Sequence, residues 1–368
     1  MQKIGLLTFH ASHNYGSMLQ AYALYAVLNK MGYDVQIINF RSAPQKMMYA
    51  KPYKYWDLQA IRGRVLSPIL FYKNIKKWNK FERFMTDNMP LTYEINHLSD
   101  IKQIINDNAY DIVITGSDQI WNMHSPDFNI GYLLPFKLDC KKIAYAPSMG
   151  HLKWLSPLDV DLLLKSLLED YYAISVREKS LADSLSSILD KQIATTPDPT
   201  WLLDVEVYEK ISYNKLLVKG KYLFYYTPRN EYIASDIVYE YAKLHNLKAV
   251  CSSSPSLACK RFINYNNAGP AEFLNLIKNA EIIIGNSMHM IIFALLFHKP
   301  FIVLSNDIDT RMKDLLKCFG LEDRFCSLET LNSAYEPCVI DWHEVDSKVM
   351  ELKKLAITWL KNVIGEKY

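Results

Sequence analysis

Residues 280–304 read AEIIIGNSMHMIIFALLFHKPFIVL. The short apolar run before Gly285 fits a buried strand. Gly285-Asn286-Ser287 supplies a turn, and the apolar segment from Met288 to Phe297 has the length of a helix turned into a core. Lys299-Pro300 breaks that helix, and residues 301–304 resume as a second strand. Strand, helix, strand within 25 residues implies a parallel sheet with helices on its faces, hence an α/β fold. The same stretch places a titratable group. His289 falls in the first turn of the helix, just past the strand's carboxyl end, where open α/β sheets bind ligands. Helix-start N–H groups favour anions there, and an imidazole in such a notch suits proton transfer. An equally good reading of these residues is a satisfied core histidine.

Working outward, the chain repeats this pattern. Residues 4–9 (IGLLTF) read as a buried strand, followed by the polar loop HASHNYG, a helix from about 17 to 31, and a second strand at 34–40. Gly32 is suited to cap that helix. Gly16 is the one glycine of the loop, so the dinucleotide fingerprint is missing and neither NAD nor FAD is expected. Further strands or strand–helix units are expected at 110–121, 142–149, 171–189 and 195–204, with a polar helical link near 208–221. A second series follows at 221–227, 231–245, 248–253, 270–279 and 281–304, and 344–364 reads as an amphipathic helix. The simplest architecture is two α/β domains with a ligand cleft between them. Domain one spans 1–205 with an insertion at about 41–100, domain two spans 206–345, and a C-terminal helix takes 346–368.

The insertion differs in composition. Between Lys46 and Arg83 stand ten Lys/Arg and two acids, interleaved with aromatics such as Tyr49, Trp56, Tyr72, Trp78 and Phe81. Basic plus aromatic can mean a docking surface for an anionic membrane or a lipid-phosphate-linked substrate. The competing reading is a solvated helical insertion whose aromatics pack inward.

Half of the 368 residues are hydrophobic, enough for a sizeable core, and the net charge of +3 gives no reason to expect a nucleic-acid partner. The six cysteines form no CxxC pair and no zinc spacing, so reduced thiols and a cytoplasmic location are expected. The N-terminus enters a strand directly without a signal-peptide pattern, and residues 282–304 are too interrupted for a membrane span. His10 and His13 form an HxxH without a nearby carboxylate, so no metal is expected. GSDQ and GNSM are not nucleophile elbows, and no Walker loop is present.

Five segments together resemble the polysaccharide pyruvyl transferase family. They are residues 8–40, with Asn14, Tyr15, Gly16, Gln20, Ala21 and Leu24 in an N-Y-G-x-x-L-Q-A-x-A-L pattern; DIVITGSDQIWN at 111–122; ISVREKS at 174–180; PDPTWLLD at 197–204; and the 280–304 stretch with its Ser-x-His and K-P-F. The resemblance implies two Rossmann-like domains arranged as in GT-B glycosyltransferases. It also implies transfer of a pyruvyl group from phosphoenolpyruvate to a sugar of a bacterial surface polysaccharide or its lipid-linked precursor, giving a cyclic ketal. Phosphoenolpyruvate would be a co-substrate, with no further cofactor. The chain departs from the family's Ser-Phe-His-Gly in carrying Ser287, Met288, His289 and Met290, and a side chain in place of that glycine is expected either to narrow the pocket or to mark a specialised or weakly active member.

Ketal formation needs a proton at the donor's methylene carbon, attack by two hydroxyls at C2, and departure of phosphate. His289 is the candidate acid, or else a hydrogen-bond partner of the departing phosphate. Arg177 ends a predicted strand, where a guanidinium can clamp carboxylate or phosphate. The resemblance places a donor-binding arginine there; a salt bridge with Glu178 is the alternative. Arg229, Arg311 and Lys299 are further candidate cations, and Ser287 and Met288 flank the histidine on the donor side. Asp118 either accepts a proton from a hydroxyl or caps its loop. Asn14, Tyr15, Gly16 and Trp121 are expected on the acceptor side, with Trp121 either stacking on a sugar or packing in the core. Asp198-Pro199 reads as a turn former. Two competing functions stand beside this one. A nucleotide-sugar glycosyltransferase would need an acidic ribose-binding pattern that Asp307 and Asp309 do not supply, and a non-catalytic sugar-binding relative would need none of the acid–base groups.

Overall fold

The computed structural model describes residues 1–51, 68–150, 158–228, 234–252, 260–304, 310–328, 330–331, 335 and 338–365. The first half runs β1 (Lys3–Leu7), α1 (Tyr15–Lys30), β2 (Asp34–Ile37), α2 (Ala43–Met48), α3 (Pro68–Asn88), α4 (Leu98–Asp107), β3 (Ile112–Thr115), β4 (Lys141–Ala144), α5 (Leu158–Leu168), β5 (Ala173–Val176), α6 (Lys179–Leu189) and β6 (Ala194–Thr195). The helix α7 (Val205–Ile211) leads to the second half. There follow β7 (Tyr222–Tyr226), α8 (Ser235–Leu244), β8 (Lys248–Cys251), β9 (Ile263–Asn264), α9 (Pro270–Lys278), β10 (Ile282–Gly285), α10 (Met288–Leu296), β11 (Phe301–Leu304), α11 (Thr310–Cys318), β12 (Phe325–Cys326) and α12 (Trp342–Ile364).

These strands build two six-stranded sheets, ordered β2-β1-β3-β4-β5-β6 and β12-β11-β10-β7-β8-β9. All pairs are parallel; Ile4 lies opposite Val35 on one side and Ile112 on the other, and Ile283 lies between Phe301 and Phe224. The apolar runs follow from this, because a central parallel strand is covered on both faces: β3 and β11 are buried at every position. The order reverses at β1/β3 in the first sheet and at β7/β10 in the second. A crevice opens at such a reversal beyond the carboxyl ends of the strands. The two sheets thus form two Rossmann-like halves in a GT-B-like arrangement.

α1 begins at Tyr15, two residues before the sequence expectation, because Asn14 caps it: its side-chain oxygen accepts from Gly16 N at 2.9 Å and Ser17 N at 3.4 Å. The helix joins the halves. Tyr15 stacks on Phe273 of α9, ring centres 4.4 Å apart, and its hydroxyl donates to Ala268 O at 3.1 Å. One apolar cluster accordingly runs from Leu24 and Leu28 of α1 through Tyr208 to Phe273 and Phe293. α12 closes the molecule from the other end. Tyr33 OH donates to Gly365 O at 2.8 Å, Lys353 pairs with Asp204, and Trp359 lies 5.9 Å from Tyr145.

Of the basic stretch, residues 52–67 lie outside the described residues. In α3 the aromatics Phe81 and Phe84 turn inward with Met85, and Trp78 Nε1 donates to Tyr49 O. Lys80 pairs with Glu272 of the second half at 2.6 Å, while Ile69 and Tyr72 stay exposed.

Candidate active site

The apolar β10 ends at Gly285, and the chain turns through Asn286 and Ser287 into α10. A Cβ on Gly285 would fall 1.9 Å from Tyr226 O, so only glycine permits this close strand approach. Met290 is fully buried, with its sulfur 2.7 Å from that same position. The expectation that Met290 narrows the pocket is therefore corrected. On a helix with its back to the sheet, residue 290 faces the core, and its thioether fills space beneath Gly285.

His289, one position earlier, faces the first half. A Cβ on Gly16 would land 2.1 Å from its Nδ1, so the imidazole lies directly on the backbone of α1's first turn. Its Nε2 sits 3.3 Å from Asp198 Oδ2. The same Oδ2 lies 2.6 Å from Arg177 Nη2. Neither contact is aligned as a hydrogen bond, since Asp198 Oδ2 and His289 Nε2 are both buried without a hydrogen-bond partner. Asp198's other oxygen accepts from Thr200 N at 2.9 Å and Thr200 Oγ1 at 2.6 Å. Burial pushes the Asp198 carboxyl up, but Arg177, His289 and Thr200 outweigh it and hold it well below the usual carboxylate range.

Arg177 follows β5. Its Nη2 also donates to Ser117 Oγ at 2.7 Å, and Nη1 lies 3.8 Å from the sulfur of Met288. The alternative pairing with Glu178 is not the one formed; Arg177's ion partner is Asp198. Glu178 stands at the start of α6 without capping it. Its Oε1 accepts from Ser148 Oγ at 2.7 Å, and its Oε2 is buried without a hydrogen-bond partner. Burial pushes its pKa up more than Arg177, Ser148 and Arg311 pull it down, so the carboxyl rests above its ordinary value. Asp118, buried in the loop after β3, accepts from Ser17 Oγ at 2.6 Å.

The structure thus gathers His289, Arg177, Met288 and Gly16, with Asp118 bonded to Ser17 beside Gly16. Ser287 stands at the start of α10 without a capping bond. Arg311 opens α11 in the second half, and its charge reaches Glu178. Arg229, Asp307 and Asp309 lie outside the described residues. Two acceptor-side expectations, Trp121 and Tyr15, are corrected. Trp121 is fully buried, its Nε1 donating to Tyr132 O at 3.2 Å, so it cannot stack on a sugar. Tyr15 is buried between the halves, and Asn14 commits its side-chain oxygen to the cap. Lys299 lies past the far end of α10, away from His289. The residues that sequence reading missed are Asp198, passed over as a turn former, and Ser117 and Ser17. A signal existed: Asp198 and Ser117 both lie inside the segments that carried the family resemblance.

The seam between the two Rossmann-like halves thus holds a guanidinium and an imidazole on one buried carboxylate, a site built from both halves of an enzyme-like fold. The profile of the polysaccharide pyruvyl transferase family matches residues 14–308, and the chain belongs to that family of transferases. No curated protein matches it in sequence. Among solved structures it resembles the UDP-GlcNAc 2-epimerase of Methanocaldococcus jannaschii, at 12% identity over 96% of this chain and 93% of that one, with a TM-score of 0.53. The Neisseria meningitidis UDP-GlcNAc 2-epimerase, bound to UDP-GlcNAc, matches at 11% identity over 100% and 95% of the two chains, TM-score 0.53. Likeness at this identity concerns the fold.

Among the described residues no helix is long and apolar enough to cross a membrane, and no group of three His, Cys, Asp or Glu is placed to hold a metal ion.

Proposed function

We propose that this polysaccharide pyruvyl transferase takes its pyruvyl group from phosphoenolpyruvate, needs no further cofactor, and ketalises a sugar of a bacterial surface polysaccharide or its lipid-linked precursor. One observation carries the reading: Asp198 holds Arg177 of the first half and His289 of the second on a single oxygen, 2.6 and 3.3 Å away. Phosphoenolpyruvate is compact and carries two anionic groups, and the guanidinium fork matches either of them. His289 at a helix start then stands where phosphate would leave, able to donate a proton or a hydrogen bond. Asp118, with Ser17, is placed to receive a sugar hydroxyl. Arg311 and Arg229, with Ser287 and Met288, complete the donor side in this reading.

The enzyme works in the cytoplasm, at the inner membrane face, where the 46–83 stretch meets anionic lipid. The support is its excess of cations with Ile69 and Tyr72 exposed on α3. Co-sedimentation at physiological ionic strength with anionic vesicles but not neutral ones is the expected result; equal binding to both would remove the membrane from the reading.

Isothermal titration of phosphoenolpyruvate into the wild type and His289→Ala, with UDP as control, tests the donor. Binding that weakens in the variant, with none for UDP, is expected. UDP binding without phosphoenolpyruvate binding would move the chain to nucleotide-sugar chemistry.

A further inference from the structure

We propose that Lys77 of α3 is a second anion-binding residue of this enzyme, separate from the donor clamp, and that it holds the phosphate of a lipid-linked sugar acceptor at the mouth of the seam. The inference rests on the acceptor side of the reading above and narrows it to the lipid-phosphate-linked precursor.

The geometry puts Lys77 at the seam. Its ammonium stands 5.5 Å from the ring centre of Tyr15 and 5.9 Å from that of Phe81. Tyr15 opens α1, and its ring lies 5.5 Å from that of Tyr226 at the end of β7, in the second half. The next residue, Gly16, carries the His289 ring. A Cβ on Gly269, just before α9, would meet Lys80 Cβ at 2.7 Å, so α3 is pressed against the second half one turn from Lys77.

That charge is left uncompensated by the protein. Among the described residues no carboxylate lies within ion-pair distance of Lys77, and the half-buried side chain makes no hydrogen bond. The acids of this corner are committed elsewhere. Glu82 accepts from Arg41 Nη1 and Nη2 at 3.1 and 3.0 Å and lies 2.9 Å from His13 Nε2, and Glu272 pairs with Lys80 at 2.6 Å. The rings add little. Tyr15 stacks on both Phe273 and Phe81, at 4.4 and 5.3 Å, and Phe81 stacks on His13 as well, at 5.0 Å. Their faces are largely taken up, and the ammonium stands near the ~6 Å limit of cation–π attraction. Burial meanwhile pulls the Lys77 pKa below the ordinary lysine value. A cation kept where burial opposes charge, with the nearby acids engaged by other cations, fits an anion supplied from outside.

The donor has no need of it, since Arg177 and His289 already match its two anionic groups. The helix itself indicates which other anion. Ile69, Lys73 and Lys77 follow at four-residue spacing along one side of α3. Ile69 is exposed, and so is Tyr72, with Lys76 4.5 Å over its ring. From Ile69 to Lys77 the helix rises about 12 Å. Exposed apolar surface, then cations, then the seam is the order of parts in a lipid-phosphate-sugar: tail, phosphate, sugar.

Lys77→Met keeps the apolar stem of the side chain without its charge, and Lys77→Arg keeps the charge. Lys77→Met should melt at or above the wild-type temperature, because it removes a charge that burial opposes. A drop of several degrees would make Lys77 a structural residue and overturn the proposal. Titration with octyl phosphate, with octanol and inorganic phosphate as controls, reads the site directly. Octyl phosphate should bind the wild type, weaken about tenfold or more in Lys77→Met and recover in Lys77→Arg, with octanol indifferent to the charge. Phosphoenolpyruvate should bind wild type and Lys77→Met within about threefold of each other and should not displace octyl phosphate. Equal octyl phosphate binding in wild type and Lys77→Met, or none in either, would overturn the proposal. Competition between the two ligands would place Lys77 in the donor site and overturn it too. Inorganic phosphate binding as tightly as octyl phosphate would remove the lipid from the assignment. Failure of the wild type to bind phosphoenolpyruvate, with Lys77-dependent octyl phosphate binding intact, would instead bring down the donor reading alone.

Discussion

Asp198 gives its two oxygens different tasks, and that division explains why it read as a turn. Oδ1 caps the turn at Pro199–Trp201 through Thr200, as an Asp-Pro pair commonly does. Oδ2 reaches Arg177 and His289, 21 and 91 residues away in the chain, which no local pattern encodes. Arg177 was legible because a guanidinium at a strand's carboxyl end has few structural reasons to be there. Trp121 misled because an aromatic in a loop motif suits a sugar and a core equally, and only packing decides. Asp198→Ala leaves the buried Arg177 charge uncompensated and should cost about 3–5 kcal/mol, read by denaturant unfolding. Asp198→Asn should fold but lose donor affinity and turnover together. The pH dependence has a definite sign. The folded Asp198 carboxyl lies below its ordinary 3.8, so its contribution is full above that value and fades as pH falls further. The stability gap between wild type and Asp198→Asn should narrow below pH 3.8; a constant gap would mean the carboxylate's charge is not what the pair supplies. Glu178 runs the other way. Raised above its ordinary 4.5 by burial, it stabilises the fold most below that value and progressively less as pH rises through its folded value. Glu178→Gln should therefore gain stability over wild type on going from pH 4.5 to neutral, and equal midpoints throughout would contradict a buried, charge-averse site.

At the scale of elements, the decisive contact is between the starts of two helices from opposite halves. α1 and α10 were both readable from apolar spacing, and their boundaries differ from expectation by a residue or two. Their mutual placement was not readable, because it depends on Gly16 lacking a side chain where His289 arrives. Gly16 looked like a loop glycine on the acceptor side; in the fold it is the floor under the imidazole. Gly16→Ala adds a methyl 2.1 Å from His289 Nδ1, so either the ring or the helix start must move. Such overpacking costs about 1–3 kcal/mol. The functional consequence should be larger, since the ring would leave Asp198. We expect weaker phosphoenolpyruvate binding and changed imidazole nitrogen shifts for His289. In a His289→Ala background the same glycine change should cost little, giving a coupling energy of about 0.5–3 kcal/mol in the double-mutant cycle. Additive effects would place the harm of Gly16→Ala in α1 itself rather than in the ring.

At the scale of the whole molecule, two sheets are held in one arrangement by a few long-range ties. Tyr15 and Lys80 bind the first half to α9, and α12 returns from the second half to dock against β4 and the end of α1. The parallel sheets were legible because buried strands are apolar throughout and the helices between them are regular. The clasp was not, since an amphipathic C-terminal helix shows which face it buries but not against what. The clasp should matter for function, because Arg177 and His289 meet only while the halves are closed. Trp359 is half-buried against Tyr145, and its ring lies on the α12 side of this closure. Trp359→Ala should cost about 2 kcal/mol, below the range for a fully buried aromatic. It should also let the halves part, because it removes a contact between them without touching the active site. Small-angle scattering should then give a larger radius of gyration for the variant than for wild type, and phosphoenolpyruvate should restore compactness by drawing Arg177 and His289 onto one ligand. A donor affinity lowered with turnover at saturation unchanged is the matching kinetic signature, since saturating donor restores the closed form. If the variant keeps the wild-type radius while losing stability, α12 is a packing element alone, and closure of the seam depends on Tyr15 and its stack with Phe273.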